Sequence, residues 1–516
     1  MGTSLVRGLQ PNSYIHATAL VNVTDPTTNE FLRERVGVAR LNEILATQVP
    51  GALWRVRYFR DSQPEEYAVV LKPDGSLHAI RHTLADEAPG ASLSKEEAVA
   101  RAEKFLREEK KIDVSQWSLV ESNSDKRPHR TDHTLTWQQS APLDGVFGAS
   151  SSSAAKTGAT EHAFARIELM VLGDEVTNYR TYIKIPDEWR RKQEETTLTK
   201  IVFGYAIPIL VVAGFAITAL IVFLKNLRSE AARTIPWKRV TLWALWGLAC
   251  AALTLAFGDF VVNALSSYKT AIPFKTMIGV TAISALLGLL FAYGFLALLF
   301  GVAWYYGTRA FGVERIPEWT GMPKAYYRDA VFIGLGGTAA WVGLDAISKW
   351  VYQHLPGLPE GAAASFGANL DAVLPVMGIL GSGVRTGLTY TALVAITAAF
   401  IASMIRTKWL RASVFVAAVL ALGGFGANWH DPMDVAKRMI IGVVWIAVID
   451  LAVRYVIRFN VLGYFLILAG LALLGGAGEM LGHPDNFYRV NGYGVLAALV
   501  VLFGWPLVGW RRTEKA

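Results

Sequence analysis

The pattern of hydrophobic and polar positions divides the chain at residue 201. Residues 201–224 contain no charged side chain, and about 20 apolar residues suffice to cross the hydrocarbon core of a bilayer. We therefore predict a polar head followed by an all-α polytopic transmembrane bundle of about nine helices. The predicted spans are 201–224, 240–263, 277–304, 330–347, 385–405, 412–428, 436–456, 461–478 and 492–510.

Two features inside the apolar half refine this prediction. Residues 372–384 are apolar but short and interrupted by Gly and Pro, which favours a re-entrant or interfacial piece over a span. Runs of small residues at 334–338 and 470–478 predict that helices approach closely there.

The head, in contrast, shows the alternation typical of antiparallel strands with one buried face. Strands are predicted within 54–60, 65–84, 133–139 and 162–185, with tight turns at the PDG and LGDE sequences. A helix is predicted to start at Ser94, because Glu97 can complete a capping box with it. A second helical region is expected at Thr28–Val36 and Leu41–Thr47.

These elements predict an α+β head of two tandem units. The first unit is assigned to 1–92 and the second to 93–200, and the membrane domain to 201–516. Residues 145–160 are rich in Ser and Ala, and such low-complexity composition predicts a disordered loop.

Charge adds information on partners and orientation. The net charge is +8, and the basic excess lies entirely beyond residue 200. This distribution fits a lipid bilayer as the partner and gives no support to nucleic-acid binding. Of the loops, one alternating set carries 17 Lys and Arg residues, counting the edge residue Arg454. The other set carries 4, or 7 with the edge residues Arg385, Lys437 and Arg438. Because cytoplasmic loops carry the positive excess, we expect a cytoplasmic C-terminus and an extracytoplasmic head.

The opposite orientation has some support of its own. Residues 1–30 contain no apolar segment that could direct export, so we expect the given sequence to be truncated at its start. A cytoplasmic head is favoured by the basic residues just before the first span, Arg190, Arg191, Lys192 and Lys200.

A resemblance follows from the head. The helix EEAVARAEKFL followed by a strand meander resembles PepSY-like domains, small extracytoplasmic modules. The run from WRVRYFR through RTDHTLTWQ to YIKIPDEWRR resembles the head of acidobacterial-type multi-pass proteins that are often grouped with CPBP (CAAX-like) intramembrane metalloproteases. The resemblance implies two PepSY-like units and a bacterial inner-membrane location.

The membrane half departs from the catalytic pattern of those proteases. Their EExxxR motif is absent, since no Glu-Glu pair occurs beyond Lys200. No catalytic residue and no cofactor can be assigned on this basis. An ExxxH spacing at Glu479 and His483 would place both side chains on one helix face, and His430 could join them in a metal site for zinc. Solvated interfacial residues explain the same positions.

Further ionisable residues have structural explanations. Asp450 and Arg454 are four residues apart in one predicted span and can form a buried ion pair there. Asp259 is expected near the outer end of a span. Alternation in RTDHTL places Arg130 and Asp132 on one strand face and His133 on the other, which favours pairing over catalysis.

Two functional hypotheses follow, and whether the chain is an enzyme stays open between them. The first is a non-catalytic membrane protein, either a protease relative without its metal site or a scaffold or accessory subunit that binds other membrane or extracytoplasmic subunits. The second is a CPBP-type intramembrane metalloprotease with an unconventional zinc site.

Overall fold

The computed structural model describes residues 14–144, 162–195, 198, 200–311, 322–354, 369–404, 407–424, 432–452 and 460–512. The chain forms two compact units. The first comprises residues 1–195 with 261–282 and 360–371, and the second comprises the remaining residues. The loop predicted to be disordered, 145–160, lies outside the described residues.

The first unit contains two four-stranded antiparallel sheets, each a meander in sequence order. The first sheet consists of β1 (Ile15–Asn22), β2 (Ala52–Phe59), β3 (Glu66–Leu71) and β4 (Leu77–Thr83), and the second of β5 (Trp117–Lys126), β6 (Thr131–Gln139), β7 (Phe164–Leu172) and β8 (Glu175–Lys184). The sequence predicted six of these strands. It missed β1 and β5, and β5 is an edge strand with mostly exposed residues that lacks the alternation of a half-buried strand.

Two helices of the head cover the predicted helical regions, whereas a third, at Asp187–Glu194, was not predicted. Helix α1 (Pro26–Thr47) is capped by Asp25 and bends at Gly37, whose φ of 78° is left-handed, between the two predicted helical pieces. Helix α2 (Lys95–Glu108) has the predicted capping box, with Ser94 N donating to Glu97 at 2.8 Å and Glu97 N donating to Ser94 at 3.3 Å. Helix α3 (Asp187–Glu194) ends the head.

The two sheets of the first unit share their hydrophobic core. One cluster combines Ala98 and Leu106 of α2 with Val70 of the first sheet and Leu135 and Ile167 of the second. A further cluster packs α1 against residues of β7 and β8. Each helix therefore contributes to burying the second sheet, and the boundary between the two units at residues 92 and 93 stays a prediction.

The second unit is helical. The helices that follow the head are α4 (Ile207–Lys225), α5 (Glu230–Arg233), α6 (Trp237–Phe257), α7 (Phe260–Ser266), α8 (Phe274–Phe311), α9 (Lys324–His354), α10 (Pro375–Met404), α11 (Lys408–Gly424), α12 (Pro432–Leu451), α13 (Val461–Leu481) and α14 (Asn486–Arg512). Of these, α7 from residue 261 onward and α8 up to residue 282 belong to the first unit. Within the described residues, seven helices are long and apolar enough to cross a membrane.

The seven candidate spans coincide with seven of the nine predicted ones. They are Ile201–Lys225, Trp237–Phe257, Phe274–Ala310, Lys324–Ile347, Pro375–Ala402, Val461–Leu481 and Asn486–Val508. The other two predicted spans fall on α11, which has 17 residues, and α12, which carries Asp434, Lys437 and Arg438. A total of nine stays a prediction.

Two details of the predicted spans were wrong. Residues 375–384 are not a re-entrant piece, because they form the first turns of the continuous 30-residue helix α10. The second span ends at Phe257, and Asp259 lies between α6 and α7 rather than inside a span. Gly258 ends the helix there, with its N–H bonded to the carbonyl of Thr254.

The helices of the second unit bury one shared core and expose much apolar surface. Fully buried side chains such as Tyr305, Tyr306 and Leu466 belong to one cluster. On the outside, Phe291 of α8 is 75% exposed and Val500 of α14 is 73% exposed. Such large exposed side chains along helices are what a lipid environment accommodates.

Candidate functional site

The residues proposed for a metal site are arranged differently from the prediction. Glu479 lies in the last turn of α13, which ends at Leu481, so His483 lies beyond the helix rather than on one of its faces. The Nδ1 atom of His483 accepts a hydrogen bond from Asp485 N at 3.2 Å, and its ring packs 4.2 Å from that of Tyr488. His430 lies outside the described residues.

Nothing in the described structure completes that site. Within the described ranges, no three His, Cys, Asp or Glu side chains are grouped so that they could hold a metal ion. The metal site of Glu479, His483 and His430 therefore stays a prediction. The same applies to the Asp450–Arg454 pair, because Arg454 is not among the described residues.

A different set of residues in the head makes specific long-range contacts. Arg57 on β2 donates from Nη1 to the carbonyl of Tyr268 at 2.6 Å and to that of Ser266 at 3.4 Å. Its Nε donates to Glu66 at 2.8 Å. In the turn after β2, Asp61 accepts a hydrogen bond from Phe274 N at 2.7 Å. The first unit thus joins the β2–β3 hairpin to the segment between α7 and α8.

The charges of Arg57 and Asp61 are opposite in sign to the partial charges of the helix ends that they contact. Arg57 binds carbonyls at and just beyond the carboxyl end of α7, and Asp61 binds the first N–H of α8. A helix carries partial positive charge at its amino end and partial negative charge at its carboxyl end. The hydrogen bond from Phe274 N is the main reason why the pKa of Asp61 is held below its usual range.

Aromatic packing completes the same contact. Phe59 is fully buried, and its ring centroid lies 5.2 Å from that of Tyr268 and 6.4 Å from that of Phe274. Ala17 and Tyr268 are buried in the same cluster. We call Arg57, Phe59 and Asp61, with Tyr268 and Phe274, the head clamp. It combines apolar burial with two charge-assisted contacts to helix ends.

A second polar arrangement connects the two sheets. His82 on β4 is 8% exposed, and its ring nitrogens lie 2.8 Å from Glu175 and 3.1 Å from Glu65. The His82 backbone N–H donates to Thr177 on β8 at 2.7 Å, and its ring stacks on Tyr67 at 4.2 Å. Burial by itself would lower the pKa of His82, but the hydrogen bonds to Glu175 and Glu65 raise it above the ordinary value.

The buried pair of the second sheet confirms the predicted alternation. Arg130 Nε donates to Asp132 at 2.8 Å, and the two residues are 3% and 5% exposed. Arg130 also binds the carbonyls of Ala85 and Ala88. His133 lies on the other face and contacts Ser124 and the carbonyl of Leu93. All of these contacts lie inside the head and give the residues a structural role.

The sequence analysis missed the head clamp altogether. Arg57 and Asp61 belong to a short polar stretch that looks like an ordinary hairpin turn, and their partners are more than 200 positions away. The one available signal was that the loop at 264–276 and the head were predicted on the same side of the membrane. No family model matches this chain, and no curated protein or solved structure matches it either.

Proposed function

We propose that this chain is a non-catalytic multi-pass protein of the bacterial inner membrane, a scaffold or accessory subunit whose extracytoplasmic head binds other membrane or extracytoplasmic subunits. The head clamp carries the proposal. Phe274, which Asp61 caps, is also the first residue of the candidate span Phe274–Ala310. The head is therefore bonded to the residue at which this candidate span begins.

The proposed relation to proteases concerns descent rather than activity. The PepSY-like pattern of helix and meander supports kinship with CPBP-type proteins, and the missing Glu-Glu pair supports the loss of their metal site. Three of the ionisable groups buried in the head, Arg130, Asp132 and His82, are engaged with one another or with neighbouring strands. They stabilise the head and leave its outer surface for partners.

The partner role is tested with a clamp variant. Arg57→Gln combined with Asp61→Asn leaves the net charge unchanged but removes the charge from both contacts to helix ends. We expect cross-linking in native membranes to give a defined hetero-complex with the wild-type chain, and the variant to lose at least about half of it. A matched control, Lys104→Gln with Glu96→Gln, changes two exposed charges on α2 and should retain the complex. A chain that is solitary in native membranes contradicts the proposal.

Metal analysis distinguishes the scaffold proposal from its alternative, a CPBP-type metalloprotease. An enzyme using Glu479 and His483 would retain about one zinc ion per purified full-length chain, and the double variant Glu479→Ala, His483→Ala would lose it. We expect no stoichiometric zinc in either protein. Zinc in the wild type that disappears in the variant would replace the scaffold proposal with the protease.

A further inference from the structure

Three arginines share one face of the first sheet. Arg57 on β2 is in register with Ala68 on β3, which is in register with Arg81 on β4. Arg55 lies two residues before Arg57 on the same strand and therefore points to the same side. Successive strands are about 4.8 Å apart, so β2 and β4 hold their arginines roughly 10 Å from each other across β3.

The positions between and beside these arginines are alanines. Ala19 and Ala17 on β1 are opposite Arg55 and Arg57, and Ala68 separates Arg57 from Arg81. All three alanines are at most 7% exposed. Methyl side chains leave space above the strands in which the long arginine stems can lie.

Two of the three guanidinium groups have no counter-ion. Arg57 binds Glu66 and the head clamp. Across the described residues, in contrast, neither Arg55 nor Arg81 has an ion-pair or hydrogen-bond partner, and Nε of Arg81 is fully shielded from solvent without an acceptor. The side chains are half-buried, so they have lost part of their hydration.

Positive charge accumulates around them. Arg55 lies in the field of Arg57 and Glu66, and Arg81 in the field of Arg55, Arg180 and Glu168. Four arginines thus face two glutamates, and Glu66 is already bound by Arg57. Burial first, and these like charges second, lower the pKa of both Arg55 and Arg81. Partly desolvated charges of one sign are costly unless a counter-ion joins them.

We propose that Arg55 and Arg81, flanked by Arg57 and Arg180, form a binding site for a phosphate group on the head. Guanidinium groups bind phosphate through parallel N–H donors. One carboxylate is satisfied by a single bidentate arginine, whereas arginines on β2 and β4 approach from different sides. The tetrahedral oxygens of a phosphate group are directed so that both arginines can bind it at once.

Two kinds of ligand could supply this phosphate group to a membrane protein: a soluble phosphate, or the headgroup of an anionic lipid. The chemistry at Arg55 and Arg81 is the same for both. The test therefore uses both as probes with full-length protein in neutral detergent, inorganic phosphate in one arm and a short-chain phosphatidylglycerol in the other. Acetate is the comparison anion, and isothermal titration measures the affinity.

We expect saturable binding of one or both phosphate probes to the wild type. The variant Arg55→Gln, Arg81→Gln should bind the same probe at least about tenfold more weakly, because two charge-assisted contacts are lost. The control Arg101→Gln, Arg107→Gln removes the same charge from exposed positions of α2 and should bind as the wild type does. Tighter binding of the lipid probe identifies a headgroup site, and tighter binding of inorganic phosphate identifies a soluble one.

Three results would overturn the proposal: no saturable binding of either probe, equal loss of affinity in the control variant, or acetate binding as tightly as phosphate. Should the glutamine variant fail to fold, Arg55→Lys with Arg81→Lys keeps the charge and removes the forked donors. We expect this variant to bind at least about threefold more weakly than the wild type, since lysine cannot bind two oxygens in parallel. Unchanged affinity in a folded lysine variant would also contradict the site.

Discussion

Single residues of the head have partners that lie either close by in the sequence or on distant strands. Asp132 and Arg130 form a buried pair whose face the alternating sequence predicts. His82 and Glu175 also approach within 2.8 Å, yet they are 93 residues apart and no local pattern predicts the contact. The same holds for Asp61 and Phe274.

His82 makes the contact between the sheets sensitive to pH. Because its pKa is raised in the folded protein, the stabilisation is complete below the ordinary histidine pKa of about 6.5 and disappears as the pH rises through the higher folded value. We expect His82→Gln to weaken the junction of β4 and β8 by about 1 kcal/mol at acidic pH and by less above neutrality. The value is kept this small because Glu65 and Glu175 are half-exposed and solvent screens their attraction to His82.

Hydrogen exchange of the β4 and β8 amides, compared between wild type and His82→Gln at each pH from 5.5 to 8.5, measures this difference. Comparison at equal pH cancels the intrinsic exchange rate. His129→Gln is the control, since the His129 side chain is 63% exposed and its nearest carboxylate is 3.9 Å away. A protection difference that stays constant over the whole range would contradict the assignment to protonated His82.

At the level of elements, glycines decide how closely the membrane helices pack. The run at 334–338 was predicted to permit close approach, and a Cβ added at Gly334 would come within 2.7 Å of Leu466 Cβ, which confirms it. Gly387 of α10 faces α13 in the same way, where an added Cβ would lie 2.6 Å from Ala469 Cβ and 3.0 Å from Ala469 Cα. The partner there is rigid backbone, so only movement of a helix could make room.

Gly387→Ala should therefore destabilise the helical unit by about 1–3 kcal/mol through overpacking. Gly288→Ala in α8 is the matched control, because an added Cβ there has no atom within 4 Å. Alanine is the better helix former, so we expect the control to be neutral or slightly stabilising. Equilibrium unfolding in mixed micelles compares the two, and equal stability of both variants would refute the close contact of α10 and α13.

At the level of the whole molecule, orientation follows from charge and connectivity. Two candidate spans separate the head from the segment at 258–273, and the head clamp requires head and segment to be on one side of the membrane. The predicted alternation of loops places them together as well. Which side this is stays a prediction that depends on the 17 basic residues in the opposite loops.

Cysteine labelling tests the orientation directly, since the single Cys250 is buried and can be replaced by serine. In that background, Lys104→Cys reports on the head and Arg228→Cys on the turn between α4 and α5. We expect a membrane-impermeant maleimide to label the first in intact cells and the second only after permeabilisation. The reverse pattern would place the head in the cytoplasm and invert every loop.

The sequence by itself determined the α+β head, most of its strands, the capping box at Ser94 and the positions of seven candidate spans. These features arise from neighbours within a few residues or from continuous apolar length, which a linear pattern records. It went wrong at 372–384, where Gly and Pro suggested a break although Pro375 occupies the first turn of α10, a position that proline tolerates.

Only the tertiary structure decided the head clamp, the bridge at His82 and the arginine face of the first sheet. Arg55 and Arg81 are separated by 26 positions and by an intervening strand, and their shared face appears only once the register of β2, β3 and β4 is known. Such sites depend on which strands and loops become neighbours. That choice follows from burying the whole apolar surface and not from any local stretch of sequence.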